Sequence, residues 1–296
     1  MNQLSIKRWP LYVVLTLSTI VILYPVVFMI LAGFTTPTEY YAAAVLPVPH
    51  ELNLSNFVAV LGAGGLLESV RITSLRVIWY VLWTLVVSLL AGYVFGRLNF
   101  PGKNPLFIFF LTGLMIPQIA ISLPVYVMLA RWPLAGGNGL NGLGGHGFVN
   151  AWPSLFMLGL VDVFAVFLMK QNYEMLPKEY EEAALVDGAS FWHLIFNVYV
   201  PMLRPVIAAV TIIVFISVWN DYFYPLLLVS GQTSLQPIAL TVQKLIYNYT
   251  QQTDTTLGNY PLVFAAAALM SAPTIIVYLL LQRYFVQGMV GAGVKG

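Results

Sequence analysis

Residues 171–204 of this 296-residue chain hold five of its eleven carboxylates: Glu174, Glu179, Glu181, Glu182 and Asp187. Acid–base, nucleophilic or metal chemistry would need those groups to converge with a base, a nucleophile or further ligands, and the sequence shows no such cluster. The local residues spell helix, break, helix instead. Pro177 suits a first helical turn, and Glu179, Glu181 and Glu182 place negative charge at a positive helix N-terminus. Gly188 suits the left-handed residue that ends a helix. Ser190 suits the N-cap of a second helix running to about Tyr199, closed by Pro201. The first helix is about 10 residues, roughly 15 Å, too short to span a bilayer and too polar to bury. Ala183 and Ala184 leave a shallow strip where another surface can come close. The second helix carries Phe191, Trp192, Phe196 and Tyr199. On the residues alone two readings stand level: a docking surface for a partner, and an amphipathic pair lying flat on the lipid interface.

Other reactive residue types are sparse. Asp162 and Asp221 fall inside apolar stretches, where a charge usually faces a cavity or a partner. Asn220, Asp221, Tyr222 and Tyr224 form one candidate contact for a polar cargo; the bland alternative is a structural hydrogen bond at a helix interface. Asp162 and Asp221 can pair with each other, and either can pair with Arg76. His50, His146 and His193 lie in three separate segments without ligand spacing. There is no cysteine, which excludes disulfides and thiolate sites. Gly102-Lys103-Asn104 approaches a phosphate-binding loop, but Arg97 stands where the first glycine belongs and Asn104 where the hydroxyl belongs. A turn carrying a positive-inside lysine explains it better.

The elements that must position these residues follow from composition. Only 8% of residues are charged and 59% are hydrophobic, against roughly a quarter charged in a soluble domain. The solvent for most of the chain is therefore lipid. Six stretches are long and apolar enough to span it as helices, near 11–33, 73–96, 105–130, 149–170, 205–229 and 262–285. The alternation of a membrane β-barrel is absent. The run after Lys7 and Arg8 is too long for a signal peptide and reads as a retained anchor. Lys7, Arg8, Arg97, Lys103, Lys170, Lys178, Arg204, Arg283 and Lys295 fall on one side, with Arg71, Arg76, Arg131 and Lys244 on the other. That bias places both termini in the cytoplasm. The segment 171–204 is then cytoplasmic, and 34–72, 131–148 and 230–261 face outward. Residues 136–147 are Gly-rich and read as a flexible or tightly turned loop. No basic stripe suits nucleic acid. The mid-span prolines Pro25, Pro117, Pro124 and Pro273 are expected to kink helices.

The string Glu182-Ala183-Ala184-Leu185-Val186-Asp187-Gly188-Ala189, followed by Phe191, Phe196, Val200-Pro201 and Pro205, resembles the EAA signature of the membrane subunits of bacterial ABC importers. Tyr93 to Lys103 resembles the end of the second span in carbohydrate permeases of the MalG type. Trp219-Asn220-Asp221 and the tail from Gln282 to Gly296 fit the same group. Gly96, where that group usually has Ala, and Arg76, an added charge, depart from it, and the loop at 136–147 matches only a subset. The resemblance implies an all-α membrane protein with six transmembrane helices, a type I (MetI-like) importer fold, built as one permease domain over 1–296. It implies a multi-pass protein of the bacterial inner membrane that imports an oligosaccharide or related sugar. A different polar solute, such as a glycerol phosphate, is the alternative, and a secondary transporter the more distant one. The implied partners are a second homologous permease, two cytoplasmic ATPases, a periplasmic or lipid-anchored solute-binding protein, and membrane lipid. ATP and magnesium would belong to the ATPases; this chain is expected to hold no cofactor or metal and to catalyse nothing itself. The helix at 177–187 would be the coupling helix. Glu182 would reach a basic group on the ATPase, Ala183 and Ala184 would allow close approach, Gly188 would set the bend, and Asp187 and Phe191 would complete the docking face.

Overall fold

A computed structural model describes residues 9–63, 65–251 and 259–293. Lys7 and Arg8, weighed above for orientation, and Lys295-Gly296 at the tail lie outside the described residues. In chain order the helices are α1 (Trp9–Gly33), α2 (Pro37–Ala42), α3 (Ser55–Gly62), α4 (Leu66–Arg97), α5 (Lys103–Leu111), α6 (Gln118–Ala130) and α7 (Ser154–Met157). They continue as α8 (Val163–Met175), α9 (Glu179–Val186), α10 (Phe191–Met202), α11 (Arg204–Trp219), α12 (Phe223–Val229), α13 (Ile238–Gln251) and α14 (Tyr260–Gly293). No strand occurs among the described residues. This is the all-α architecture that lipid demands, because a helix satisfies its own backbone.

Three helices are long and apolar enough to cross a membrane unbroken: α1, α4 and α14 over Tyr260–Gln282. They coincide with the expected spans at 11–33, 73–96 and 262–285. Pro25 and Pro273 lie inside α1 and α14 without interrupting them. The other three expected spans are interrupted. In 105–130, α5 with its 3-10 extension meets α6 at a bend of 93°. Ile116 is extended there, at φ −84° and ψ 114°, as the residue before a proline must be, and Pro117 caps α6. The stretch 149–170 is not one helix: α7 ends at Met157 and α8 starts only at Val163. In 205–229 the chain leaves helix after Trp219 and resumes it at Phe223.

The described residues fall into two compact units, one within Met1–Leu67 and Thr241–Pro273, the other within Glu68–Leu240 and Thr274–Gly296. In the first, Asn56 donates to the carbonyls of Gly33 (3.0 Å) and Thr35 (2.8 Å). That satisfies backbone left over where α1 ends. Phe28 packs edge-on against Phe264 at 5.5 Å. Thr36 and Glu39 form a reciprocal capping box for α2, and the backbone N–H bonds from Thr36 and His50 hold the Glu39 carboxyl below its ordinary range.

The second unit carries the functional residues. Its helices α4 and α8 approach through Gly92 and Gly96, one turn apart, an arrangement that lets helix backbones close up in lipid. A Cβ at Gly92 would stand 2.6 Å from Met169 Cβ and 3.2 Å from the Lys170 nitrogen; one at Gly96 would stand 2.8 Å from Tyr173 Cβ. The Gly-rich stretch is tightly turned. Asn138, 6% exposed, donates to the carbonyls of Ala130 (2.9 Å) and Trp132 (3.0 Å) and accepts from Gly145 N–H (2.8 Å). The neighbouring side chains Leu129, Val149, Leu155, Leu228 and Val229 form a buried cluster.

The close approach is testable. Gly92→Ala is expected to cost about 1–3 kcal/mol by overpacking, read as an earlier midpoint in chemical unfolding of the detergent-solubilised protein. Gly62→Ala, exposed with nothing within 4 Å of the added methyl, serves as the control and should move the midpoint by no more than about 0.5 kcal/mol.

Candidate functional site

The acidic segment folds as two short helices at a turn, close to the expected pattern. α9 runs Glu179–Val186 with Lys178 as its N-cap, so Pro177 sits just ahead of the helix rather than in its first turn. Gly188 is left-handed, at φ +80°. Its N–H bonds to the Leu185 carbonyl (3.1 Å) and that of Ala189 to Ala184 (2.9 Å), the paired closure that satisfies the last carbonyls of a helix. Ser190 caps α10 by accepting from His193 N–H at 3.3 Å. Pro201 does not end α10 as expected. The chain takes wider π turns over Leu194–Tyr199, which shift the hydrogen-bond register ahead of the proline, and the helix reaches Met202.

What fixes this pair in place is a buried polar knot at the end of α4. Glu181 accepts from Tyr93 Oη at 3.0 Å on one oxygen and from Tyr199 Oη at 2.6 Å on the other. Arg97 Nε lies 3.5 Å from the same carboxylate and donates to Tyr199 Oη at 2.9 Å. Arg97 Nη2 donates to the Pro177 carbonyl at 3.2 Å. The Arg97 side chain is 4% exposed and Glu181 18%. Tyr173, fully buried, closes the knot with its ring 4.9 Å from Tyr199 and 5.9 Å from Tyr93. A carboxylate here is held because its lone pairs are filled and a cation is adjacent. Tyr93 and Arg97 lie four apart on one face of α4, a signal the sequence carried. Their pairing with Glu181 crosses more than 80 residues and had no local trace.

Most of the expected docking residues are turned outward, but Phe191 packs edge-on against Tyr93 of the knot at 5.6 Å. Glu182, Ala183, Asp187 and Gly188 are exposed, and Ala184 is partly buried. Leu185 and Val186 are 55% and 87% exposed, and Phe191 45%. Trp192 stacks on Phe196 at 5.9 Å and both stay exposed. Glu174 is taken up by Lys170 at 2.8 Å one turn away.

The other expected residues converge on a cavity of about 520 Å³ in the same unit. Asn220, Asp221, Tyr222 and Tyr224 all line it, together with Arg76, Gln118 and Asp162. Asp221 accepts from Arg76 Nη2 at 2.7 Å; the side chains are 22% and 4% exposed. Arg76 Nε donates to the Leu155 carbonyl at 3.2 Å, while its Nη1 is buried with no hydrogen-bond partner. Asp162 does not pair with Asp221. It caps α8 instead, accepting from Ala165 N–H at 2.8 Å, a role commonly worth about 0.5–2 kcal/mol.

No group of histidines and carboxylates that could hold a metal is found among the described residues. Lys103, in the near-match to a phosphate loop, donates to the Leu98 carbonyl at 2.9 Å and so closes a turn.

Comparison with known proteins now bears on this arrangement. Residues 88–291 match the family described as "binding-protein-dependent transport system inner membrane component". The arabinooligosaccharides transport system permease protein AraQ of Halalkalibacterium halodurans is 27% identical over 295 residues, 98% of each chain. The lactose transport system permease protein LacG of Rhizobium radiobacter is 30% identical over 209 residues, 71% of this chain and 68% of that protein. A chain from the crystal structure of a bacterial ABC transporter involved in the import of the acidic polysaccharide alginate superposes with a TM-score of 0.78 at 19% identity, covering 96% of this chain and 98% of that one. That likeness carries the fold, the importer-permease architecture that the sequence resemblance implied. The matched region takes in the helix-break-helix segment, its tyrosine-arginine anchor and most of the cavity wall, and this chain belongs to the family of binding-protein-dependent transport system inner membrane components, as a multi-pass permease subunit.

Proposed function

We propose that the chain is one permease half of an ATP-driven carbohydrate importer, and that α9 and α10 couple it to cytoplasmic ATPases. The observation that carries this is the two-sidedness of α9. One carboxylate, Glu181, is buried in the knot with Arg97, while its neighbour Glu182 is left in the open beside Ala183 and Asp187. A segment fastened underneath and bare on top transmits force to whatever grips the bare side. Glu182 is placed for a charge-assisted bond to a basic group on the ATPase, and Ala183 lets that surface come close.

In this reading both termini and the Arg97 end of α4 face the cytoplasm. ATP and magnesium sit in the two ATPases, which close on nucleotide and pull α9. A second, homologous permease completes the path, and a solute-binding protein outside delivers the sugar. The ATPases bind one conformation of the permease pair better than the other, and that difference shifts the population between inward- and outward-open states. The cavity lined by Asn220, Asp221, Tyr222 and Tyr224 is this chain's share of the path, with rings and polar tips of the kind that hold sugars. A carbohydrate cargo agrees with the sugar-transport names of the relatives and with a cavity that mixes polar groups with aromatic walls.

Three outcomes test the proposal. Glu182→Lys, at an exposed position, should leave the amount of chain in the membrane unchanged but abolish co-purification of the ATPase and ATP-dependent uptake; retained co-purification and uptake would refute docking through this face. Arg97→Ala strips the knot of its cation and should destabilise the chain by about 1.5–3 kcal/mol, the range for hydrogen bonds to charged groups. Glu181→Gln in the same chain should recover part of that, as seen by the thermal midpoint in detergent. Asp221→Ala should lower uptake about tenfold, near 1.4 kcal/mol, in a complex that still assembles; unimpaired uptake would leave Asp221 only a structural role.

A further inference from the structure

The charged groups of the cavity wall are two carboxylates and one guanidinium. We propose that the cargo passing this wall is an uncharged polyhydroxyl chain, a neutral oligosaccharide, and that the Arg76–Asp221 pair discriminates against uronates. This rests on the carbohydrate reading above and goes further, to the class of sugar.

The charged side chains lining the cavity are three: Arg76 from α4, Asp162 at the start of α8, and Asp221 between α11 and α12. The single cation is committed. Its Nη2 is 2.7 Å from Asp221 and its Nε bonds to the Leu155 carbonyl, so turning it toward a cargo anion would strip Asp221 of its counter-charge. A uronate carboxylate in this space would therefore meet two carboxylates and a guanidinium already neutralised. Like charges in a partly dehydrated cavity repel strongly. The overall likeness to an importer of an acidic polysaccharide is one of fold, at 19% identity, and does not carry its cargo over.

The hydrogen-bonding groups point the same way. Asp162 and Asp221 bring acceptor oxygens to the cavity wall, whereas the unpartnered Nη1 of Arg76 is buried. A sugar hydroxyl both accepts and donates; an ionised carboxylate only accepts. A run of hydroxyls can give protons to those carboxylates, whereas an ionised acid group has none to give. Tyr222, 46% exposed on this wall, adds a ring face and a hydroxyl that suit a pyranose or furanose of either charge, so the selection lies in the ion pair.

The experiment uses the complete importer, with both permeases, the ATPases and the binding protein, in proteoliposomes. It reads ATP hydrolysis stimulated by neutral arabino-, malto- and cello-oligosaccharides against that stimulated by oligoalginates and oligogalacturonates. The wild type should respond to at least one neutral class about tenfold more strongly than to any oligouronate. With the binding protein unchanged, Asp221→Asn frees the guanidinium and should shift that ratio about tenfold toward uronates. Arg76→Gln makes the wall more negative and should shift it the opposite way, which keeps the test open if Asp221→Asn fails to assemble. Oligouronates matching or exceeding neutral sugars in the wild type would overturn the inference while leaving the carbohydrate reading intact. A ratio that neither variant moves would also overturn it, by placing the selection in the binding protein. No response to any sugar would overturn the carbohydrate reading itself.

Discussion

The permease depends on one buried ionic contact, the Glu181 carboxylate held by Arg97 and two tyrosine hydroxyls. A short helix such as α9 is marginal alone, because nucleation consumes most of what a few hydrogen bonds return. It has no buried residue of its own. Its position therefore comes from the knot. Tyr93 and Arg97 belong to α4, Tyr199 to α10 and Glu181 to α9, so three helices are tied at one carboxylate. The rings of Tyr93, Tyr173 and Tyr199 shield it from water, which raises the cost of breaking any member of the set. An apolar patch would give contact without direction; the fork of the guanidinium and the two hydroxyls fix α9 in both position and orientation.

The same helix α4 carries another buried arginine in an ion pair, Arg76 with Asp221. Arg76 and Arg97 lie on it about 31 Å apart at roughly 1.5 Å per residue. One binds the break after α11, the other binds α9. The covalent path between these points, through α10 and α11, contains a bend of 82° and a stretch of π turns. α4 is unbroken, and Gly92 and Gly96 let it lie directly against α8. It is the stiff member that connects the exposed acidic face with the cavity, while the chain between them is jointed.

Local chemistry was the legible part of the sequence. Gly188 and Ser190 announce their roles because a left-handed residue and an N-cap are decided within a few positions. The unbroken spans are decided by composition alone. Arg76 could be named as a partner of Asp221 because so few charges lie in apolar stretches that the combinations are few. Glu181 and Glu182 are the opposite case. They are neighbours of one residue type, and which one turns inward depends on the phase of α9 relative to α4, a property of tertiary packing. The interruptions at 116–117 and 220–222 were hidden for another reason. Hydropathy averages over a window, so a bend costs it nothing, and of the four mid-span prolines only Pro117 coincides with one. Pro25, Pro124 and Pro273 sit inside continuous helices.

The placement of those interruptions has a physical logic. Lipid contains no donor or acceptor for a backbone group that leaves a helix, so irregular chain at membrane depth survives only beside other protein or a polar space. Three of the expected spans break within the second unit: between α5 and α6, between α7 and α8, and between α11 and α12. All three border one cavity. Leu114 and Gln118 reach it from the first, Gly159 and Asp162 from the second, and Asn220 to Tyr222 from the third. Asp162 and Asp221 then do locally what the lost helical turns no longer do, each accepting a backbone N–H at the start of the next helix, from Ala165 and Tyr224. The acids that the sequence exposed as costly in lipid are thus the groups that make broken helices tolerable. Their cost is met by the cavity they open, and a polar cargo crossing the membrane needs just such a place, where carbonyls, amides and carboxylates stand free of lipid.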